Sequence, residues 1–296
     1  MQIIDSSPMK QKTTMKLGGN AYQELIIESY DDADILLHHI QKNPLPCYIL
    51  GGGSNLLIDS EPLNAYVIRS TYTHPCKVVQ ETEEYIHIQA PLSMPLQRFV
   101  LQAIGYGAQG FEGLAGVPGT LGGAIAMNAG SFGSEVTRYL ASLDILSLSE
   151  GIIQYTQESF TRGYRSFSIK HHDAPYIGLS ALFICPKASP TQLRSTFKAH
   201  LATKKERQPL QAHSAGCVFK NINGTSTGLL LEEAGMKNIS TEHFHFSSQH
   251  ANFLLHDGNG TLDEALFLLE KAKQIISERY AHTLELEVRI WTTRNI

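Results

Sequence analysis

The chain lacks any run of about 18 apolar residues, so no membrane-spanning helix is expected. Its four cysteines, Cys47, Cys76, Cys185 and Cys217, are widely spaced and form no CxxC pair, which points to reduced thiols rather than a disulfide framework. Neither sign of charge dominates: 24 Lys and Arg against 28 Asp and Glu leave a net charge of −4. That balance offers no footprint for nucleic acid or an anionic membrane surface. The GxxxxGK[ST] loop is missing, and so is GxGxxG ahead of a helix, which disfavours ATP hydrolysis and a simple Rossmann site. The histidine pairs His38/His39, His171/His172 and His243/His245 lack the further ligands of a zinc pattern, so no metal site is expected. The opening residues carry no apolar signal core, and the expectation is a cytoplasmic protein.

The rest is globular in composition: 296 residues, 42% hydrophobic and 18% charged, enough for one large domain or two to three smaller ones. Residues 31–43 place Ile35, Leu36, His39 and Ile40 at helical spacing, and "CYILGGGSNLLI" (47–58) reads as a strand entering a tight turn. The front of the chain is therefore β-α-β. Strands are expected at 65–70, 76–80, 85–90, 142–148 and 181–185, with a helix from Pro95 that stops at Gly105. Composition shifts at 185–191, before a helix with a basic end at 193–208, and we place a boundary near residue 190. Beyond it lie a helix at 226–235 closed by Gly235 and a long helix at 262–280. The long helix opens on the capping box Thr261/Glu264 and carries Leu262, Ala265, Leu269, Ala272 and Ile276 on one face. The last strand, 284–291, alternates Leu284, Leu286, Val288 and Ile290 against Glu285, Glu287 and Arg289. The pattern is that of an α+β chain of two or three subdomains.

Two segments are unusually rich in glycine. "GGGSN" (51–55) can form a nest of backbone N–H groups for a pyrophosphate, or simply a tight turn. "AGVPGTLGGAIAMNAG" (115–130) holds Gly116, Gly119, Gly122, Gly123 and Gly130 and no charge. Two such segments together suggest one long ligand lying on backbone.

The stretches "TTMKLGGNA" (13–21), "LGGGSNLLI" (50–58), "GFEGLAGVPGTLGGAIAMNAGSFG" (110–133), "YRSFSIK" (164–170), "SAGCVFKN" (214–221), "GLLLEEAGMK" (228–237), "HANFLLHDGNGT" (250–261) and "LELEVRI" (284–290) occur in order. As an ordered set they resemble the UDP-N-acetylenolpyruvoylglucosamine reductase family, in its smaller subtype without the tyrosine-bearing loop. The resemblance implies an α+β fold: an FAD-binding fold of the vanillyl-alcohol-oxidase (PCMH) type in two subdomains, 1–64 and 65–190, and a C-terminal substrate domain, 191–296. It implies non-covalent FAD, NADPH as hydride donor, and reduction of the enolpyruvyl sugar nucleotide to UDP-N-acetylmuramate for peptidoglycan. No obligatory protein partner is evident.

The resemblance also assigns roles. Gly51, Gly52, Gly53, Ser54, Asn55, Gly116, Gly119, Gly122, Gly123 and Asn128 fall at the cofactor. Tyr164, Lys220 and Asn221 fall at the substrate. Arg165, Cys217 and Glu287 fall where the family keeps its arginine, proton donor and glutamate. Read alone, Arg165 and Glu287 are ordinary exposed charges and Cys217 a small buried hydrophobe. The family's usual proton donor is Ser, and here the position is Cys217. A thiol is a far stronger acid than a hydroxyl, so the chemistry is sound. Ile222 also departs, where Pro is frequent. Two other classes use the same glycine segments: a flavin oxidase or dehydrogenase acting on an alcohol, and a non-catalytic flavin- or nucleotide-sugar-binding module.

Overall fold

In the computed structural model, described for residues 1–222 and 224–294, the alternating apolar residues of the middle of the chain build a five-stranded antiparallel sheet. Its strands run in the order Gly151–Thr156, Leu140–Ser147, Tyr176–Pro186, Tyr85–Pro91 and Lys77–Glu81. Among the described residues six α-helices accompany the strands: α1 (Asp32–Lys42), α2 (Leu96–Tyr106), α3 (Leu121–Ala126), α4 (Pro190–Arg207), α5 (Thr227–Glu233) and α6 (Leu262–Tyr280). The chain divides into two units. One comprises residues 1–4, 23–52 and 66–204; the other comprises 5–22, 53–65 and 205–296.

In the first unit the large sheet is buried on alternate residues. Ile86, Ile88, Ala181, Phe183 and Ile145 join Phe99, Val100 and Ala103 of α2 in one core. Phe99 sits at the centre, 4.9 Å from the Phe111 ring and 5.0 Å from that of Phe183. Leu146, Ile177 and Leu179, one residue out of phase, join Leu36 of α1 and Tyr66 in a second cluster. The β-α-β start is present: Asn20–Ile27, α1, then Cys47–Ile49 parallel to Tyr66–Ile68. Helix α2 does not stop at Gly105. It runs to Tyr106, and Gly107, at φ +85, takes the left-handed cap and donates to Ile104 O at 3.0 Å. The cap needs positive φ, and Gly107 supplies it, while Gly105 lies inside the helix.

The second unit is built on a three-stranded sheet, Ser214–Cys217, Phe253–His256 and Phe244–Phe246, with α6 against it. The capping box Thr261/Glu264 is formed, and Leu262, Ala265, Leu268, Leu269, Ala272 and Ile276 are fully buried. Each buried Leu or Ile there contributes roughly 1.5–3 kcal/mol. The expected strand at 284–291 is only partly regular. Leu286 forms a single bridge to Phe219, and Arg289–Trp291 then pairs in parallel with Leu56–Ile58. The segment changes partner midway, which alternation alone does not reveal.

His256 fastens this unit internally. Its ring stacks on Phe244 at 4.3 Å, its Nδ1 lies 2.8 Å from the Met15 carbonyl, and its Nε2 accepts from Gly260 N–H at 2.8 Å. The pairing requires the neutral ring with its proton on Nδ1. Burial lowers its pKa, with Lys10 and His213 acting in the same sense. The folded protein therefore binds fewer protons here than the unfolded chain. The stabilisation is complete above the unfolded histidine value of about 6.5 and is lost as pH falls below it. We expect the free energy of unfolding to drop between about pH 7 and pH 5, and less steeply in His256→Asn, as measured by urea titrations across that range.

Candidate active site

The two glycine segments come together where side chains are excluded. A Cβ on Gly52 would collide with the Gly119 backbone, and one on Gly51 would sit 2.9 Å from Thr120 Oγ1. Gly119 is at φ +103 and Gly116 at φ +71, conformations L side chains rarely adopt. A Cβ on Gly122 would press on Leu92 O at 3.1 Å. Gly123 differs. A Cβ there would have only Thr120 Oγ1 at 3.4 Å and Gly51 Cα at 4.0 Å as neighbours. Packing within the chain accounts for the missing side chain at Gly52 and Gly122 but not at Gly123, so an absent group resting on that backbone fits the site.

The donors are distributed unevenly. Leu121 N–H goes to Met94 O at 2.9 Å, Gly122 N–H to Leu92 O at 2.8 Å, and Gly123 N–H to Thr120 Oγ1 at 3.2 Å. The first turn of α3 is thus satisfied by the chain itself and offers close approach rather than free amides. Among the described residues, the exposed amides of Gly51 and Gly52 donate to no group of the chain. Gln97 of α2 holds the loop at the start of the second segment, accepting from Gly116 N–H and donating to Leu114 O and Val117 O, each at 2.9 Å. Neither Thr120 nor Gln97 figures among the sequence candidates. Thr120 carries the N-cap signature ahead of α3, but Gln97 gives no local signal.

Arg165 lies in the two-residue turn of the hairpin Phe160–Gly163/Ser166–Ile169, at φ +53. A non-glycine residue in that region is strained by about 1–2 kcal/mol. Its guanidinium carbon is 5.2 Å from the ring centroid of the half-exposed Tyr164. Asn128 is buried, and its amide is committed within the chain to Glu135, Gly163 O and Thr137.

In the other unit, a β-bulge sets Cys217. Ser214 opposes Leu255 and Cys217 opposes Phe253, so three steps on one strand match two on the other. Gly216, at φ +78, absorbs the extra residue. Asn252 clamps the next turn of chain, accepting from Phe219 N–H at 3.0 Å and donating to Phe219 O at 2.8 Å. Beside it runs the glutamate segment: Glu287 N–H donates to Val218 O at 2.8 Å, and Lys220 N–H to Glu285 O at 2.9 Å. Asn55 Nδ2 donates to Glu287 O at 2.9 Å. The Asn55 side chain and the residue after Cys217 are therefore both bonded to the Glu287 backbone, and Ser54 lies in the same unit. Gly53 is at φ +63 over the Lys12 carbonyl. Lys220 Nζ bonds Glu285 at 3.1 Å, and Asn221 Oδ1 accepts from Thr227 N–H at 3.1 Å at the start of α5. Among the described residues no group of three His, Cys, Asp or Glu is arranged for a metal.

The close-approach backbone of Gly51, Gly52 and Gly123, which fits an extended cofactor, is that of an FAD-dependent oxidoreductase. A family model described as an FAD binding domain matches residues 24–156, and one described as the C-terminal domain of UDP-N-acetylenolpyruvoylglucosamine reductase matches 208–291. The chain is 34% identical over 294 residues to the UDP-N-acetylenolpyruvoylglucosamine reductase of Nitratidesulfovibrio vulgaris and 32% over 295 to that of Oleidesulfovibrio alaskensis, with 98% of each chain covered in both cases. The crystal structure of the Thermus caldophilus reductase superimposes with a TM-score of 0.79 at 27% identity over 98% of both chains. The chain belongs to the UDP-N-acetylenolpyruvoylglucosamine reductase family, and its fold is the FAD-binding fold of the vanillyl-alcohol-oxidase type with a C-terminal α+β domain.

The contrast between glycines yields a paired test. Gly52→Ala, which drives a Cβ into Gly119, is expected to lower the thermal midpoint of the apoprotein itself, at a cost of about 1–3 kcal/mol. Gly123→Val is expected to keep the apoprotein midpoint and purify colourless. A flavin-loaded Gly123→Val contradicts the assignment of this backbone to the cofactor.

Proposed function

We propose that the chain reduces UDP-N-acetylglucosamine enolpyruvate to UDP-N-acetylmuramate with NADPH in the cytoplasm, as a step of peptidoglycan precursor synthesis. Gly51–Asn55 and Gly116–Gly123 hold FAD, the exposed amides of Gly51 and Gly52 donating to its diphosphate and Gly123 allowing its close approach. When bound, FAD supplies hydride transfer, from NADPH to the terminal vinyl carbon of the enolpyruvyl ether.

The chain's residues manage the charge and the proton. As hydride arrives, negative charge builds on the adjacent carbon and its carboxylate. Arg165 binds that carboxylate and stabilises the charge. Glu287, protonated or bridged to Arg165, helps polarise the same group. Cys217 Sγ–H delivers the proton to the adjacent carbon, giving the lactyl ether, and the thiolate regains a proton from water. Tyr164 aligns the substrate beside Arg165. Lys220 leaves its exposed, weak pair with Glu285 for the substrate diphosphate, with Asn221 beside it. The observation that supports this reading best is the bulge at Gly216 together with the Val218–Glu287 pairing: an irregular backbone at Cys217, whose next residue is bonded directly to the segment that carries Glu287.

The two half-reactions separate the roles. Hydride transfer from NADPH needs no proton at the substrate carbon, so Cys217→Ala is expected to reduce its flavin normally and then reoxidise about 10²–10⁴-fold more slowly with the sugar nucleotide. Cys217→Ser is expected to keep substantial activity. Anaerobic stopped-flow of each half-reaction measures this, and reoxidation of Cys217→Ala at the wild-type rate makes Cys217 a packing residue.

The cofactor is expected to be non-covalent, because neither His nor Cys occurs between Phe111 and Gly133. Acid precipitation should release all colour to the supernatant, and colour retained in the pellet contradicts it.

A further inference from the structure

Asn128 stands at the end of α3 and turns the chain, at φ +40, into the short hairpin Gly130–Ser131/Ser134–Glu135. It is 1% exposed, and both its side-chain polar atoms are bonded within the chain. Nδ2 donates to Gly163 O at 2.9 Å and to Glu135 Oε2 at 3.1 Å, and Oδ1 accepts from Thr137 Oγ1 at 2.7 Å, Thr137 being fully buried. Gly163 is the last residue before the Tyr164–Arg165 turn. Gly130, opposite Glu135, leaves room for the arginine: a Cβ there would stand 3.4 Å from Arg165 Nη1 and 2.9 Å from Ser134 O. The base of a strained arginine turn is thus bonded to a buried amide, and the tip of the same arginine lies over a residue of the hairpin which that amide organises.

We infer that Asn128 is a positioning residue for Arg165, acting through the Gly163 carbonyl with Thr137 fixing the amide's orientation. The inference rests on the role of Arg165 proposed above. A strained φ at Arg165 persists only if the surrounding structure over-determines it. The Asn128–Gly163 bond does this from the flavin-binding helix, so the cofactor cradle and the arginine are parts of one rigid piece. Asn128→Asp is nearly isosteric, but it loses both N–H donors and sets a carboxylate against Glu135 and a carbonyl. Thr137→Val removes the hydroxyl without changing shape.

The test compares Asn128→Asp, Thr137→Val, Thr137→Ser, Arg165→Lys and the double variant Asn128→Asp/Arg165→Lys as flavin-loaded enzymes. A misplacement of about 1 Å costs on the order of 10²-fold in rate. Asn128→Asp and Thr137→Val are expected to retain FAD and slow reoxidation by the enolpyruvyl sugar nucleotide about 10- to 100-fold, mainly in kcat. Thr137→Ser restores the rate. The double variant is expected to be no slower than Arg165→Lys, because neighbours acting through one group are not additive. Hydrogen exchange on the apoproteins supplies a readout independent of turnover: the amides of 164–169 should exchange faster in Asn128→Asp and Thr137→Val than in wild type. Additive effects, unchanged exchange, or loss of FAD from Asn128→Asp overturn the inference while leaving the role of Arg165 intact. Should Thr137→Val alone fold, its rate and exchange decide the matter. If Arg165→Lys itself reoxidises at the wild-type rate, the proposed role of Arg165 fails first and takes this inference with it.

Discussion

Everything at the cofactor end depends on one steric constraint: Gly52 lies so close to Gly119 that it tolerates no Cβ, and Gly119 itself is held at φ +103. That approach places Thr120 against Gly51 and brings the first turn of α3, with its amides bonded to Leu92 and Met94, onto the Gly51–Gly52 turn. Once α3 is set, its end is set too, and with it Asn128 and the carbonyl of Gly163 at the arginine turn. A glycine-rich segment of this kind is costly in conformational entropy. The cost is understandable on the proposed role of this surface as the seat of a flat, extended cofactor.

The second unit solves a different problem, which is to aim a side chain. A regular strand would alternate through Ala215, Gly216 and Cys217 in step with its partner. The inserted residue at Gly216 breaks that step, and Asn252 then pins Phe219 on both backbone groups. A thiol held on a bulge and braced two residues later has little freedom to wander, as the proposed delivery of its proton to one carbon requires.

Most of this architecture was legible from residue patterns. Helix α6 and its capping box follow from Thr261, Glu264 and the spacing of its apolar face, and four strands of the large sheet follow from their apolar runs, while its edge strand Gly151–Thr156 was not expected. Three features were not. Gly105 and Gly107 look alike in sequence, and only φ at the cap distinguishes them. The run at 284–291 alternates like one strand, yet its neighbours change at Val288 because two different segments pass beside it. The gathering of residues 5–22 and 53–65 with the C-terminal residues depends on contacts remote in sequence, which no local window contains. At the site, the motif order named Arg165, Cys217 and Glu287, whereas the residues that hold their surroundings, such as Gln97, Thr137 and Asn252, announce themselves only through the bonds they make.

The central claim is that one bound flavin carries hydride from NADPH to the enolpyruvyl sugar nucleotide while the protein supplies a solvent-exchangeable proton. Its most direct test is a single-turnover experiment in deuterium oxide under anaerobic conditions. The flavin is first bleached with one equivalent of NADPH, and the enolpyruvyl sugar nucleotide is then added. The account predicts return of the flavin's visible band, with one UDP-N-acetylmuramate formed per flavin and deuterium at the carbon bearing the ether oxygen. A flavin that stays bleached on addition of this substrate, or a product without deuterium at that carbon, contradicts it.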